Sequence, residues 1–207
     1  IYSVEEVNVR KDYKASYDGN NITNSYTPGT TSVSGTKTWD DDGNRDGIRP
    51  TEISLKLYKQ VNGGEKEEVT GATPTWKNTD KDVWNYEYTG LPKKENGKDL
   101  IYSVEEVNVR KDYKASYDGN NITNSHTPEK TIVSGTKTWD DADNQDGKRP
   151  KSIIIRLLAN GTEVANKTVT PNEKGEWKWT FTDLPKYENG AEITYTTAED
   201  QVPEYST

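Results

Sequence analysis

Three side chains of this 207-residue chain carry chemistry at positions where strands should be burying apolar surface. Lys37 stands in Val33-Ser-Gly-Thr-Lys37-Thr-Trp39, in phase with Val33, Gly35 and Trp39. Glu106 ends Tyr102-Ser-Val104-Glu-Glu106, in phase with Tyr102 and Val104, and Asn124 follows Ile122 by two. Period-two alternation of β-branched and aromatic residues reads as a strand, and residues two apart share a face. An amine, a carboxyl and a carboxamide are therefore all expected to enter an aromatic core. Each is expensive there unless the three meet.

Other chemistries fit the residues poorly. Glu105 and Glu106 are adjacent on a strand, so they point to opposite faces and cannot flank one glycosidic bond. Asp42-Gly-Asn44-Arg-Asp46-Gly47 matches the first half of a calcium-binding EF-hand loop, but Ile53 stands at the twelfth position, where the loop needs Glu. Ala142 occupies the first position of the second copy, so the expectation is a loop with Asx turns and no metal site. His126 is the single histidine, which excludes a zinc site built on several histidines. No cofactor is called for.

The elements that must position Lys37, Glu106 and Asn124 come in duplicate. Ile1 to Asn24 recurs unchanged at Ile101 to Asn124, and VSGTKTWDDDGNRDGIRP (33–50) returns as VSGTKTWDDADNQDGKRP (133–150). Self-similarity at a fixed period marks an array of like units. Trp84, Tyr86 and Tyr88 share a strand face, and Trp177, Trp179 and Phe181 are their counterparts. Val61 to Lys66 and the region around Asn160-Gly161 read as hairpins. The offset shrinks from 100 to 93 between the two copies, so Glu199 answers to Glu106 and Lys137 to Lys37. This divides the chain into 1–28, the end of a preceding repeat; 29–128, a complete repeat; and 129–207, a repeat without its last strand. No segment keeps helical periodicity over three turns. Each repeat is expected to be an all-β sandwich of roughly seven strands.

Composition narrows the function. Only 29% of residues are hydrophobic, which is thin for two cores, but 6 Trp and 13 Tyr bury much area per residue. The net charge of −8 argues against a nucleic-acid partner. No apolar run is long enough to span a membrane. Cysteine is absent, so no disulfide can staple these small units.

The blocks SGTKTWDD, DG, RP, then GLP or DLP, then Y-x-x-x-E, then ITN-x-x-TP resemble the B-type repeat domains of the collagen-binding adhesins of Gram-positive cocci. The resemblance covers essentially the whole chain. It implies tandem transthyretin-like, inverse immunoglobulin-type β-sandwich units. It also implies a spontaneous isopeptide bond between a first-strand Lys and a last-strand Asn, assisted by a buried Glu. Carried over, the crosslink residues are Lys37 and Asn124 with Glu106 as catalyst. The second repeat supplies Lys137 and Glu199, and the leading segment supplies Glu6 and Asn24. Burial disfavours the charged forms of amine and carboxyl. A neutral amine can then attack the amide carbon while the Glu relays a proton to departing ammonia. The implied role is a stalk that projects an adhesive head from a bacterial cell wall. Its partners would be neighbouring repeats, and host extracellular matrix through other domains. Residues 17–28 of one chain could also complete 129–207 of another, pairing Asn24 with Lys137.

Blander readings stand beside these. On the residues alone, Lys37 reads first as a strand lysine with its head in water. Glu106 reads equally as solvent-facing, and Asn124 as an ordinary strand-end residue. Two further roles are open: a direct matrix- or glycan-binding unit, for which Trp76 is the residue to inspect, and a pilin shaft, for which no YPKN-type lysine motif is present.

Overall fold

The computed structural model describes residues 1–61 and 63–206. Asn62, inside the expected 61–66 hairpin, lies outside the described residues. All regular structure among the described residues is β, without a helix. The chain divides into two compact units. One comprises Ile1–Thr38, Ile53–Val109 and Ala115–Thr123; the other comprises Trp39–Glu52, Arg110–Lys114 and Asn124–Thr207.

Residues 30–125 build two sheets. One has the strand order Lys114–Asp118, Asn121–Ser125, Thr30–Asp40, Val83–Pro92, Thr75–Lys77. The other runs Glu67–Glu68, Ser54–Val61, Lys98–Val107, Lys94–Glu95. Both contribute to one core of Val33, Tyr86, Tyr88, Leu91 and Ile122 from the first sheet, and Leu57 and Val104 from the second. That is a sandwich, with side chains of alternate residues from each inner face meeting in the middle.

The aromatic triple sets the register. Thr30–Asp40 runs antiparallel to Val83–Pro92, with Val33 opposite Tyr88, Gly35 opposite Tyr86 and Lys37 opposite Trp84. Gly35 has a steric reason. A Cβ there would lie 2.2 Å from the Asn120 carbonyl oxygen and 2.6 Å from the Tyr86 hydroxyl, which donates to that carbonyl. Trp76 leans edge-on against Trp84 at 5.8 Å and packs on Tyr86 at 5.5 Å. It is half-buried against the core, not displayed as a platform.

In the second unit, Lys130–Lys137 pairs antiparallel with Trp177–Pro185, again with glycine opposite the middle aromatic: Gly135 faces Trp179. A sheet in the order Thr162–Val169, Ile153–Ala159, Tyr195–Glu199 supplies the other face. The core is Ile153, Ile155, Leu157, Val169, Trp177, Phe181 and Val202. The Asn160-Gly161 turn has φ of 50° and 83°, the left-handed pair that a two-residue hairpin turn needs. Near the start of the chain, Lys14–Asp18 and Asn21–Ser25 form a hairpin of their own. Its Ile22 is 37% exposed, whereas the identical Ile122 is fully buried. The same sequence folds to the same strands in both places, but among the described residues the leading hairpin pairs with no further strand.

Candidate functional site

Lys37 is fully buried, with 0% exposure. The snorkelling reading fails, because strand alternation holds it between buried Val33 and Trp39 on the inner face. Its Nζ lies 3.8 Å from Glu106 Oε2 and donates to the Thr38 carbonyl at 3.2 Å. Glu106 comes from the facing sheet, where it stands opposite Leu55. Its side chain is 2% exposed. The neighbouring Glu105 turns outward to Lys66, 2.8 Å away. Alternation thus sends one of two adjacent carboxyls inward and leaves the other in solvent.

Asn124 is 1% exposed, on the strand Asn121–Ser125 that lies next to Thr30–Asp40 in the sheet. Near one end of this strand pair, the Thr36 backbone N–H and hydroxyl donate to Asn121 Oδ1 at 3.1 Å. Near the other, the His126 N–H donates to the Asp40 carbonyl at 2.9 Å. Residue numbers climb together on both strands, so they run parallel.

The second repeat brings Lys137 and Glu199 together more tightly and less dryly. Lys137 Nζ donates to Glu199 Oε2 at 2.8 Å, with side chains 19% and 11% exposed. The ammonium also sits 4.7 Å from the Trp139 ring centre, in cation–π range. A groove of about 910 Å³ opens beside it, lined by Lys137, Trp139, Asp141, Glu204 and Tyr205. In the leading segment, Asn24 Nδ2 donates to Glu6 Oε1 at 3.0 Å, and the pair is exposed. The structure thus pairs Lys37 with Glu106, Lys137 with Glu199 and Asn24 with Glu6.

A second polar cluster escaped sequence reasoning. Asp41 is 1% exposed and accepts from the Asn44 N–H at 2.9 Å, from Arg49 Nε at 2.9 Å and from the Tyr113 hydroxyl at 2.8 Å. Burial pushes its carboxyl up, but the bonds from Arg49, Tyr113 and Asn44 outweigh that and hold it below the ordinary carboxylate value. The loop expected to carry Asx turns does so, and Asp41 has its oxygens committed to protein donors. Asp141, Arg149 and Tyr205 repeat the arrangement, with the hydroxyl 2.9 Å from Asp141. The signal was available: a buried-length Asp, an Asn three on and an Arg eight on, in both copies. Tyr113 and Tyr205 were not recoverable, because they sit at different offsets from Glu106 and Glu199.

Residues 33–125 and 133–207 both match the family model of the Cna protein B-type domain. The chain belongs to this family. Over 211 aligned residues it is 44% identical to a collagen adhesin of Staphylococcus aureus, covering all of this chain and 17% of that protein. It also matches the crystal structure of two B repeat units of the collagen-binding protein of Staphylococcus aureus. That match has a TM-score of 0.68 at 42% identity, over 94% of this chain and 51% of the solved one. The chain therefore spans a small part of the curated relative and about half of the solved structure. The sandwich expected from alternation is the fold of these relatives.

Proposed function

We propose that this chain is a stretch of load-bearing stalk from a bacterial surface adhesin, and that Lys37 and Asn124 become joined by an isopeptide bond. The observation that carries the reading is the dry Lys37–Glu106 pair, together with a buried Asn124 on the strand next to that of Lys37 in the sheet. Two charges held in a core are a poor source of stability, because desolvation offsets their attraction. A reaction gives the pair a purpose. Proton transfer leaves a neutral amine and a neutral carboxylic acid. The amine nitrogen attacks Asn124 Cγ, the Cγ–Nδ2 bond breaks, and Glu106 carries the proton that lets ammonia leave. The product is one amide bond and one ammonia, and Glu106 keeps the proton that Lys37 brought until it passes to the departing ammonia or to solvent. It happens once per chain, so it is maturation and not enzymatic turnover.

Such a bond would tie one strand of a repeat to another about 87 positions later. By the loop-closure argument used for disulfides, that adds roughly 4–5 kcal/mol. The mechanical gain is larger: tension entering at Thr30–Asp40 would leave through Asn121–Ser125 along a covalent tie, bypassing the rest of the sandwich. The proposed division into repeats 29–128 and 129–207, after the tail 1–28 of another, follows the same logic. A wall-anchored protein at the cell surface and a ligand-binding head elsewhere are parts of this proposal. The test is crosslink mapping: a Lys37–Asn124 branched peptide in the wild type, absent in Glu106→Ala.

A second reading concerns Lys137. Its strand pairs with Trp177–Pro185 alone among the described residues, and the exposed hairpin 14–25 is identical in sequence to 114–125. Donation of residues 17–28 from one chain to 129–207 of another would bring Asn24 to Lys137. Light scattering that finds only monomer at high concentration would sink it. Direct glycan or matrix binding through Trp76 has less support, because that ring packs on Trp84 and Tyr86.

A further inference from the structure

The loop after Trp39 does more than close a hairpin. It reaches residues of the following repeat, all inside one compact unit. The Gly190 N–H donates to the Arg45 carbonyl at 2.9 Å. Gly47 and Gly190 face each other so closely that a Cβ on Gly47 would lie 2.4 Å from Gly190 Cα. Gly190 belongs to the tight turn between Tyr187–Glu188 and Ala191–Glu192. Asp46, whose side chain is 3% exposed, accepts from the Glu129 N–H at 2.8 Å. It also faces His126 Nε2 at 2.8 Å.

His126 is held on both sides. Its Nδ1 lies 3.0 Å from the Asp112 carbonyl oxygen, while Nε2 lies 2.8 Å from the Asp46 carboxylate. Both partners are acceptors. A neutral imidazole has one N–H and one lone pair, so it satisfies only one of them. The imidazolium donates to both. We propose that loop 41–49 is a socket for the linker 126–129 and the 187–192 hairpin, and that doubly protonated His126 is its latch, so that the joint stiffens in acid and loosens above neutrality.

The surrounding charges favour the imidazolium. Asp40, Asp41, Asp46, Asp112 and Glu129 lie on the elements packed around it. On the same elements Arg45 pairs with Asp42, Arg49 with Asp41, Arg110 with Asp112, Lys130 with Asp183 and Lys186 with Glu129, while Lys111 and Lys114 are exposed. His126 Nε2 faces the Asp46 carboxylate directly. The Tyr113 ring packs against the imidazole at 5.4 Å. Burial pulls the imidazole down, but the bonds to Asp46 and Asp112 outweigh it and set it above its ordinary value. A raised folded-state value means that the stabilisation is complete below about pH 6.5 and is lost as pH rises through the folded value. Tyr26 occupies the corresponding position in the leading copy, beside Tyr13, so the latch is particular to this joint.

The test uses the whole 207-residue chain in two readouts. The first is an NMR titration of His126. Its midpoint should lie above about 6.5 in the wild type and move down toward that value in Asp46→Asn. The second exploits the absence of cysteine: spin labels on Thr51→Cys, just past the loop, and Lys174→Cys, both in the same compact unit, report one distance distribution. It should be narrower near pH 5.5 than near pH 8, and His126→Gln should give one width at both. An equal wild-type width at the two pH values, or a midpoint unmoved by Asp46→Asn, would overturn the proposal.

Discussion

Replacing Asp41 with alanine should cost more than any single change on the surface of this chain. The substitution leaves the Arg49 guanidinium, 12% exposed, and the buried Tyr113 hydroxyl without their shared acceptor. It also frees the Asn44 N–H that closes the Asx turn. Removing one partner of a buried ion pair costs about 3–5 kcal/mol. For a unit of roughly 100 residues, that corresponds to a fall of at least about 12 °C in Tm. The chain carries its own control. Asp141 has the same partner types, but Arg149 is 22% exposed and a groove opens beside Asp141 and Tyr205. Asp141→Ala should therefore cost clearly less, because water can replace the lost acceptor. Differential scanning calorimetry of both variants makes the comparison. Equal shifts, or an Asp41→Ala loss below about 1 kcal/mol, would show that the cluster behaves as an exposed ion pair and refute the burial argument.

Other outcomes follow from the same contacts. Tyr113→Phe removes a single hydrogen bond to Asp41 and should cost about 0.5–1.5 kcal/mol, read from the urea midpoint. Gly35→Ala drives a methyl into the Asn120 carbonyl and the Tyr86 hydroxyl, and should destabilise by about 1–3 kcal/mol in the same assay. Because the folded Asp41 carboxyl titrates below its unfolded value, its contribution is present above about pH 4 and lost as pH falls through the folded value. The urea midpoint should fall with acid in the wild type, and less steeply in Asp41→Asn. Glu106→Ala should fold yet leave Lys37 and Asn124 unlinked, as seen in a denaturing mass spectrum.

The sandwich was legible because alternation and aromatic spacing leave little freedom. Trp84, Tyr86 and Tyr88 share one face by alternation, and Lys37 shares one with Val33 and Trp39; the pairing that sets Lys37 opposite Trp84 came from the structure. Phase grouped Glu106 with Tyr102 and Val104 but left open whether it or Glu105 faces the core; the structure turns Glu106 inward and Glu105 to Lys66. What alternation cannot give is the partner of a loop residue. Asp41 lies past the end of its strand, and its acceptor role depends on Tyr113, 72 positions away. The joint was hidden for a similar reason. Gly47 reads as a turn glycine, and nothing local says that its missing Cβ makes room for Gly190. Trp76 was misleading in the other direction: a tryptophan without a counterpart suggested a display surface, yet it fills the flank of the first core.

The proposed crosslink is decided most directly by the intact mass of the denatured wild-type chain. One bond between Lys37 and Asn124 releases one ammonia, so the mass should fall roughly 17 Da below that of the sequence. The loss should map to a branched peptide joining those two residues. A chain with the full sequence mass, after complete folding, would contradict the account and leave Lys37 and Glu106 as an unreactive buried pair.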